Sequence, residues 1–93
     1  MPPIYKGEDM TVVVFKSKTE VFAFIEQARY LGVGASVVST PKEIKIGCGL
    51  SAKISDSQTH LAKKIISSYG YSTFYGIFTI KKIAGAQKLV KIF

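Results

Sequence analysis

The chain has 93 residues, which is enough for one hydrophobic core and one domain. Its 47% hydrophobic content excludes a disordered chain, and no apolar run approaches the roughly 18 residues that a membrane-spanning helix needs. The net charge of +7 favours anionic partners such as nucleic acid or an acidic protein. Residues 1–9 lack the apolar segment of a secretory signal, and a single cysteine cannot form an internal disulfide, so we expect a cytoplasmic protein.

The first half of the chain begins with a strand and a helix. Residues 10–15 are rich in valine and predict a strand. Ser17 and Glu20 have the spacing of a capping box, which predicts that a helix begins here. Gly32 is expected to end the helix in a left-handed conformation. The apolar stripe of this helix consists of Val21, Phe24, Ile25, Ala28 and Leu31.

Two short strands and a loop occupy the middle of the chain. Residues 35–40 predict a second strand that ends at Pro41, and the alternating residues 50–54 predict a third. Residues 42–49 then form the loop or hairpin bend between them.

The second half repeats the helix-then-strand pattern. Ser55 and Gln58 have capping-box spacing, and Gly70 supplies the stop of a second helix. Residues 71–82 follow as a long aromatic and β-branched strand. The apolar stripe of the second helix consists of Leu61, Ala62, Ile65, Ile66 and Tyr69.

The order β-α-β-β-α-β predicts an α+β domain of the ferredoxin-like type, spanning residues 10–82. We expect an antiparallel four-stranded sheet with two helices on one face, an irregular lead-in over residues 1–9, and an apolar and basic C-terminal extension over residues 83–93. The first and last strands carry apolar side chains on both faces, and such strands are normally buried on both faces. The extension, or a second subunit in a homodimer, is therefore expected to cover the open face of the sheet.

The loop between the second and third strands holds the only cysteine, Cys48, between Gly47 and Gly49. In the predicted topology this loop lies at the same end of the sheet as Lys16 and Ser17, where the first helix begins. A lysine and a helix N-terminus both favour a thiolate. The two glycines lack Cβ atoms, so they permit left-handed angles, offer N–H groups to an anion and leave the sulfur accessible. The alternative is that Cys48 is a small buried hydrophobe at a hairpin bend.

Three segments around this cysteine form one motif: Val14-Phe15-Lys16-Ser17, Thr40-Pro41-Lys42-Glu43 and Gly47-Cys48-Gly49-Leu50. This motif resembles that of the selenium/sulfur carrier-like family of small single-cysteine domains. The resemblance spans about residues 10–82 and implies that Cys48 holds sulfur or selenium as a persulfide or selenopersulfide, received from a donor enzyme and passed to an acceptor protein. Lys42 stands where arginine is more usual in that family, and Lys45-Ile46 replaces smaller residues.

These observations make Cys48 the candidate reactive residue of a thiol carrier that is not itself an enzyme, since no acid or base beside it can be identified. We expect no metal and no cofactor, because one Cys and one His are too few for a closed metal site. His60 begins the second helix at the opposite end of the sheet, which argues against a Cys–His dyad. The residues expected to surround the sulfur are Lys16, Ser17, Thr40, Pro41, Gly47 and Gly49.

Binding of RNA or of a protein without covalent chemistry is the main alternative. Sheets of this type bind RNA through aromatic residues on the open face, and the last strand carries Phe74, Tyr75 and Phe78. The third strand, however, has no aromatic residue, where the RNA-recognition signature requires several. Core packing explains the aromatic residues of the last strand equally well.

Overall fold

The computed structural model describes residues 10–45, 48–83 and 86–93. The expected order of strands and helices is present, and one more strand follows it. We number the strands β1 to β5 and the helices α1 and α2. Their bounds are β1 Met10–Phe15, α1 Lys18–Tyr30, β2 Ala35–Ser39, β3 Leu50–Ile54, α2 Thr59–Tyr69, β4 Phe74–Ile83 and β5 Ala86–Lys91.

The strands form one antiparallel sheet in the order β2-β3-β1-β4-β5. This confirms the α+β class, but the predicted count of four strands was wrong because the sheet has five. The fifth strand pairs with β4 from Phe78↔Lys91 to Ile83↔Ala86. The physical reason is that β4 would otherwise be an edge strand of ten residues, whose free backbone groups offer hydrogen bonds to a neighbouring strand.

The larger part of the core lies between the sheet and the two helices. Phe15 is its centre: its ring lies 5.6 Å from that of Phe24, 5.3 Å from that of Tyr71 and 5.8 Å from that of Phe74. Such tilted and edge-on contacts between aromatic rings add to the stability gained by burying them. The remaining fully or nearly buried members are Val13, Val21, Ile25, Ala28, Val33, Ala35, Ala52, Ile54, Ala62, Ile65, Ile66 and Ile77.

A second, smaller cluster lies on the other face of the sheet. Val12, Val14 and Phe78 pack there against Ile44, which belongs to the β2–β3 loop and is only 8% exposed. The loop therefore supplies one of the side chains that pack over this face. Residues 86–91 extend the sheet at its edge, and Leu89 packs against the cluster from there.

The glycine stops of both helices are confirmed. Gly32 follows α1 with φ 88°, and Gly70 follows α2 with φ 59°, both in the region that favours glycine. At its other end, α2 begins only after one 3-10 turn, Asp56–Gln58.

Both predicted capping boxes were wrong, because longer-range partners take the side chains. Ser17 is the N-cap residue of α1, but its side chain makes no capping hydrogen bond. Glu20 instead accepts hydrogen bonds from the N–H groups of Ser72 (3.0 Å) and Thr73 (2.8 Å) and from both of their hydroxyls. In the second case Ser55 makes no cap bond, and the Oε1 atom of Gln58 accepts from the N–H of Gly34 at 3.2 Å.

The contacts of Glu20 change its acidity. Burial by itself raises the pKa of this carboxyl, but the hydrogen bonds from Thr73 and Ser72 together outweigh it, so the pKa is lowered. A lowered pKa in the folded state means that the carboxylate stabilises the fold above its ordinary pKa, and that this stabilisation is lost as the pH falls through the folded value.

We predict that Glu20→Gln lowers the free energy of unfolding at neutral pH by on the order of 1 kcal/mol, because the amide is a weaker acceptor for these donors. Below pH ~4.3 the difference from the wild type should shrink as the wild-type carboxylate is protonated. Urea denaturation at several pH values measures both effects. Glu26→Gln, an exposed carboxylate on the same helix, is the matched control; equal pH profiles for the two variants would contradict the role of Glu20.

Candidate functional site

Cys48 lies in the loop that joins β2 to β3, two residues before β3 begins, and its side chain is exposed to solvent. Its Sγ atom donates a hydrogen bond to the carbonyl oxygen of Leu50 at 3.6 Å. A thiol is a weak donor, so this contact orients the side chain without blocking it. The sulfur is thus open to an approaching molecule and is not part of either core cluster.

The ends of the loop are held together beside this cysteine. The N–H of Thr40 donates to the carbonyl oxygen of Gly49 at 2.9 Å, which continues the β2–β3 pairing past Ser39↔Leu50. Gly49 has φ 91°, a conformation that residues with a Cβ atom rarely adopt. The expected left-handed glycine next to Cys48 is therefore present at Gly49, whereas Gly47 lies outside the described residues.

A buried hydroxyl pair reinforces the same point of the loop. The hydroxyl oxygens of Thr40 and Ser51 lie 2.6 Å apart, and Ser51 is completely buried. A buried hydroxyl without a partner costs free energy, so each of these two residues favours the presence of the other. Pro41 starts the turn that follows, and its carbonyl accepts the N–H of Ile44 at 2.9 Å.

Ile44 fixes where the loop goes. It is the only apolar side chain in Lys42-Glu43-Ile44-Lys45, and it is buried while its three neighbours are exposed. Sequence reasoning missed both Ile44 and Ser51. For Ile44 a signal exists, since a single isoleucine among charged loop residues is costly to expose and therefore points to an anchoring contact. For Ser51 no signal separates a buried serine from an exposed one in a short strand.

Lys16 and Ser17 lie at the same end of the sheet as Cys48. Because β1 and β3 are antiparallel, with Val13 opposite Ala52, the end of β1 lies beside the start of β3. The backbone N–H of Lys16 donates to the carbonyl of Thr73 at 2.9 Å, and that of Ser17 donates to the Thr73 hydroxyl at 3.3 Å. These contacts fix the start of α1 at this end; a direct contact between Lys16 or Ser17 and the sulfur stays a prediction.

The position of His60, the grouping of possible metal ligands and the character of the helices complete the description of the site. His60 lies in the first turn of α2, which follows the opposite end of β3. Within the described ranges, the acidic, histidine and cysteine side chains form no group of three or more that could hold a metal ion. In that same part of the chain, neither helix combines the length and apolar character that crossing a bilayer requires.

A shallow groove of about 390 Å³ lies beside the loop on the face opposite the helices. The rings of Tyr75 and Phe78 stack in it with centroids 5.8 Å apart, and Lys91 Nζ lies 5.9 Å from the Tyr75 ring. Gly76 allows this arrangement, because a Cβ atom there would come within 3.0 Å of the Phe78 ring. Phe74, by contrast, packs against the helix-side cluster, so the aromatic residues of β4 do not form one continuous face. The groove is lined by Glu43, Ile44, Lys45, Tyr75, Phe78 and Leu89.

We predict that Ile44→Ala lowers the free energy of unfolding by about 2 kcal/mol, because the variant loses buried apolar contacts with Val12, Val14 and Phe78. Urea denaturation measures the change. Lys42→Ala, an exposed position in the same loop, is the control and should cost much less. Equal losses for the two variants would show that Ile44 does not anchor the loop.

Comparison with known families gives one match. The family model described as "Putative Se/S carrier protein-like" matches residues 10–89, from the first residue of β1 into β5 and including Cys48. Searches of curated proteins and of solved structures found no match.

Proposed function

Because this chain belongs to the selenium/sulfur carrier-like family, we propose that Cys48 carries the transferred atom as a persulfide or selenopersulfide. The observation that supports this most directly is the exposure of Cys48, since the chain has one cysteine and its thiol faces solvent. An atom that is passed between proteins has to be reached by two different partners, and a buried sulfur would satisfy neither.

The transfer needs no external oxidant. The Cys48 thiolate attacks the outer sulfur of a persulfide on the donor protein; the new S–S bond forms as the donor's S–S bond breaks, and the electron pair leaves on the donor sulfur. Delivery is the same step in reverse: an acceptor thiolate takes the outer sulfur, and Cys48 is regenerated as a thiolate. For selenium the bonds formed and broken are S–Se bonds, and the electron count is unchanged.

The surroundings of Cys48 suit a carrier better than an enzyme. Its hydrogen bond to the Leu50 carbonyl supplies neither a base nor an acid, and thiol exchange requires only an ionised sulfur and access. Lys16 and the start of α1 at Ser17 lie at the same end of the sheet and would favour the thiolate electrostatically. Of the remaining residues expected at the site, Thr40 and Gly49 hold the ends of the loop and Pro41 lies in its turn; Gly47 lies outside the described residues.

The partners are then a protein that donates sulfur or selenium and a protein that accepts it. The net charge of +7 favours acidic surfaces on both. We place the exchange in the cytoplasm, because an exposed cysteine without an internal partner stays reduced in a reducing compartment.

We predict that incubation with a low-molecular-weight persulfide raises the intact mass of the protein by one sulfur atom. A reducing thiol should reverse the gain, and Cys48→Ser should show none. Intact-protein mass spectrometry measures all three, and a wild-type chain that gains no sulfur would contradict the proposal.

A relocated cysteine tests whether the loop matters or only the presence of a thiol. Ser67 is exposed on α2, outside the β2–β3 loop, so Cys48→Ser combined with Ser67→Cys keeps one exposed thiol in the chain. We expect this variant to take up sulfur several-fold more slowly than the wild type. Equal rates would mean that the setting of Cys48 contributes nothing to the transfer.

A further inference from the structure

The two edges of the sheet are protected to different degrees. The edge strand β5 carries Lys88 and Lys91, and such charges discourage another strand from pairing with an edge. The other edge is β2, whose sequence Ala-Ser-Val-Val-Ser contains no charged residue and no proline. By this criterion β2 is the less protected edge, although the charged side chain of Arg29 reaches it at Ala35.

The backbone pairing shows which groups of β2 face outward. The N–H of Thr40 bonds to Gly49, so Thr40 is directed toward β3, and in an antiparallel pair this direction alternates from one residue to the next. Ala35, Val37 and Ser39 therefore direct their N–H and C=O groups away from the sheet. The Nε atom of Arg29 donates to the carbonyl of Ala35 at 2.9 Å, which agrees with that assignment.

Apolar side chains accompany this edge. Val37 lies opposite Ala52, on the face that carries the helices, and remains 43% exposed. Phe22 is 48% exposed and lies seven residues before Arg29, on the same stripe of α1. Arg29 reaches β2 at Ala35, so this side of α1 is the one turned toward the β2 edge.

We propose that β2 pairs with β2 of a second copy of this chain, antiparallel and related by a two-fold axis through Val37. In this register each Ala35 lies opposite Ser39 of the second copy and Val37 lies opposite Val37, so all three outward residues find partners. A shift of two residues in either direction leaves one of them unpaired. This β2 edge is a different surface from the open face of the sheet, which the sequence suggested for a homodimer.

Self-complementarity is the reason to choose a second copy as the partner. The strand carries no charge that would face itself across the axis, and the pairing covers the exposed Val37 of both copies. Arg29 occupies one lone pair of the Ala35 carbonyl, and the other lone pair remains available to the second copy. The hydrogen bonds between the two Val37 residues are unaffected by Arg29.

The pairing has two further consequences. One five-residue strand per copy buries little surface, and each copy carries +7, so the dimer should be weak, dependent on concentration and favoured by salt.

The two strands run in opposite directions, so the two Cys48 loops lie at opposite ends of the joined sheet. Both thiols stay exposed, and no disulfide between them can hold the dimer.

Disulfide crosslinking tests the register directly. In a hydrogen-bonded antiparallel pair, opposite Cα atoms are about 5.5 Å apart, within the range that a disulfide bridges. In a Cys48→Ser background, Val37→Cys should therefore crosslink to itself under mild oxidation. Ser36→Cys, one residue away, would lie about 7–8 Å from its counterpart and should crosslink at least several-fold more slowly. Equal rates, or a faster Ser36→Cys, would overturn the proposed register, and the result does not depend on the chemistry of Cys48.

Sedimentation of the chain with Cys48 intact supplies the second measurement. The weight-average mass should rise with protein concentration and with salt, and Val37→Lys should weaken the association about tenfold or more by placing like charges opposite each other. Ser67→Lys adds the same charge on α2 and should have a much smaller effect. A wild-type chain that stays monomeric at high salt and high concentration would overturn the proposal.

Discussion

The burial of β1 on both of its faces is the constraint on which the rest of the structure depends. Five consecutive residues, Thr11 to Phe15, are 0% exposed, so this strand needs cover on both faces of the sheet. The helices provide it on one face. On the other face Ile44 packs against Val12 and Val14, which draws the β2–β3 loop across the sheet and makes the position of the loop a consequence of core packing.

This constraint also explains why the cysteine is accessible. The loop is attached at Ile44 and at its ends through Thr40, Gly49 and Ser51, and Cys48 lies between the anchor and the start of β3. The Cys48 side chain is exposed and belongs to neither cluster, so the contacts that hold the loop leave its sulfur accessible.

The parts of the fold that depend on local pattern could be predicted from the sequence. The buried positions of both helices and the glycines that end them, Gly32 and Gly70, follow from periodicity and backbone preference. Two residues predicted in the apolar stripes were wrong, because Leu31 and Tyr69 are 49% and 53% exposed. The first capping box failed because the partners of Glu20, Ser72 and Thr73, are more than fifty residues away, and nothing in a local motif reveals that competition. In the second box Gln58 bonds instead to the N–H of Gly34. The same holds for β5, whose pairing with β4 depends on an edge that exists only once the sheet is assembled.

The residues of the candidate site also fall into two groups, those that the local sequence predicts and those that only the assembled sheet reveals. Cys48 and Gly49 could be identified from composition and backbone preference, and the contact of Thr40 with Gly49 follows from hairpin geometry. What holds the loop in place, Ile44 on the far face and Ser51 beneath Thr40, requires the two faces of the sheet to be known. The β2 strand connects both levels: Thr40, which follows its last residue, makes contacts that fix the loop, and its outward backbone groups are those proposed to pair with a second copy. Pairing with β3 and pairing with a second copy use opposite sides of β2. The backbone groups that bond to β3 are not those that would bond to another chain.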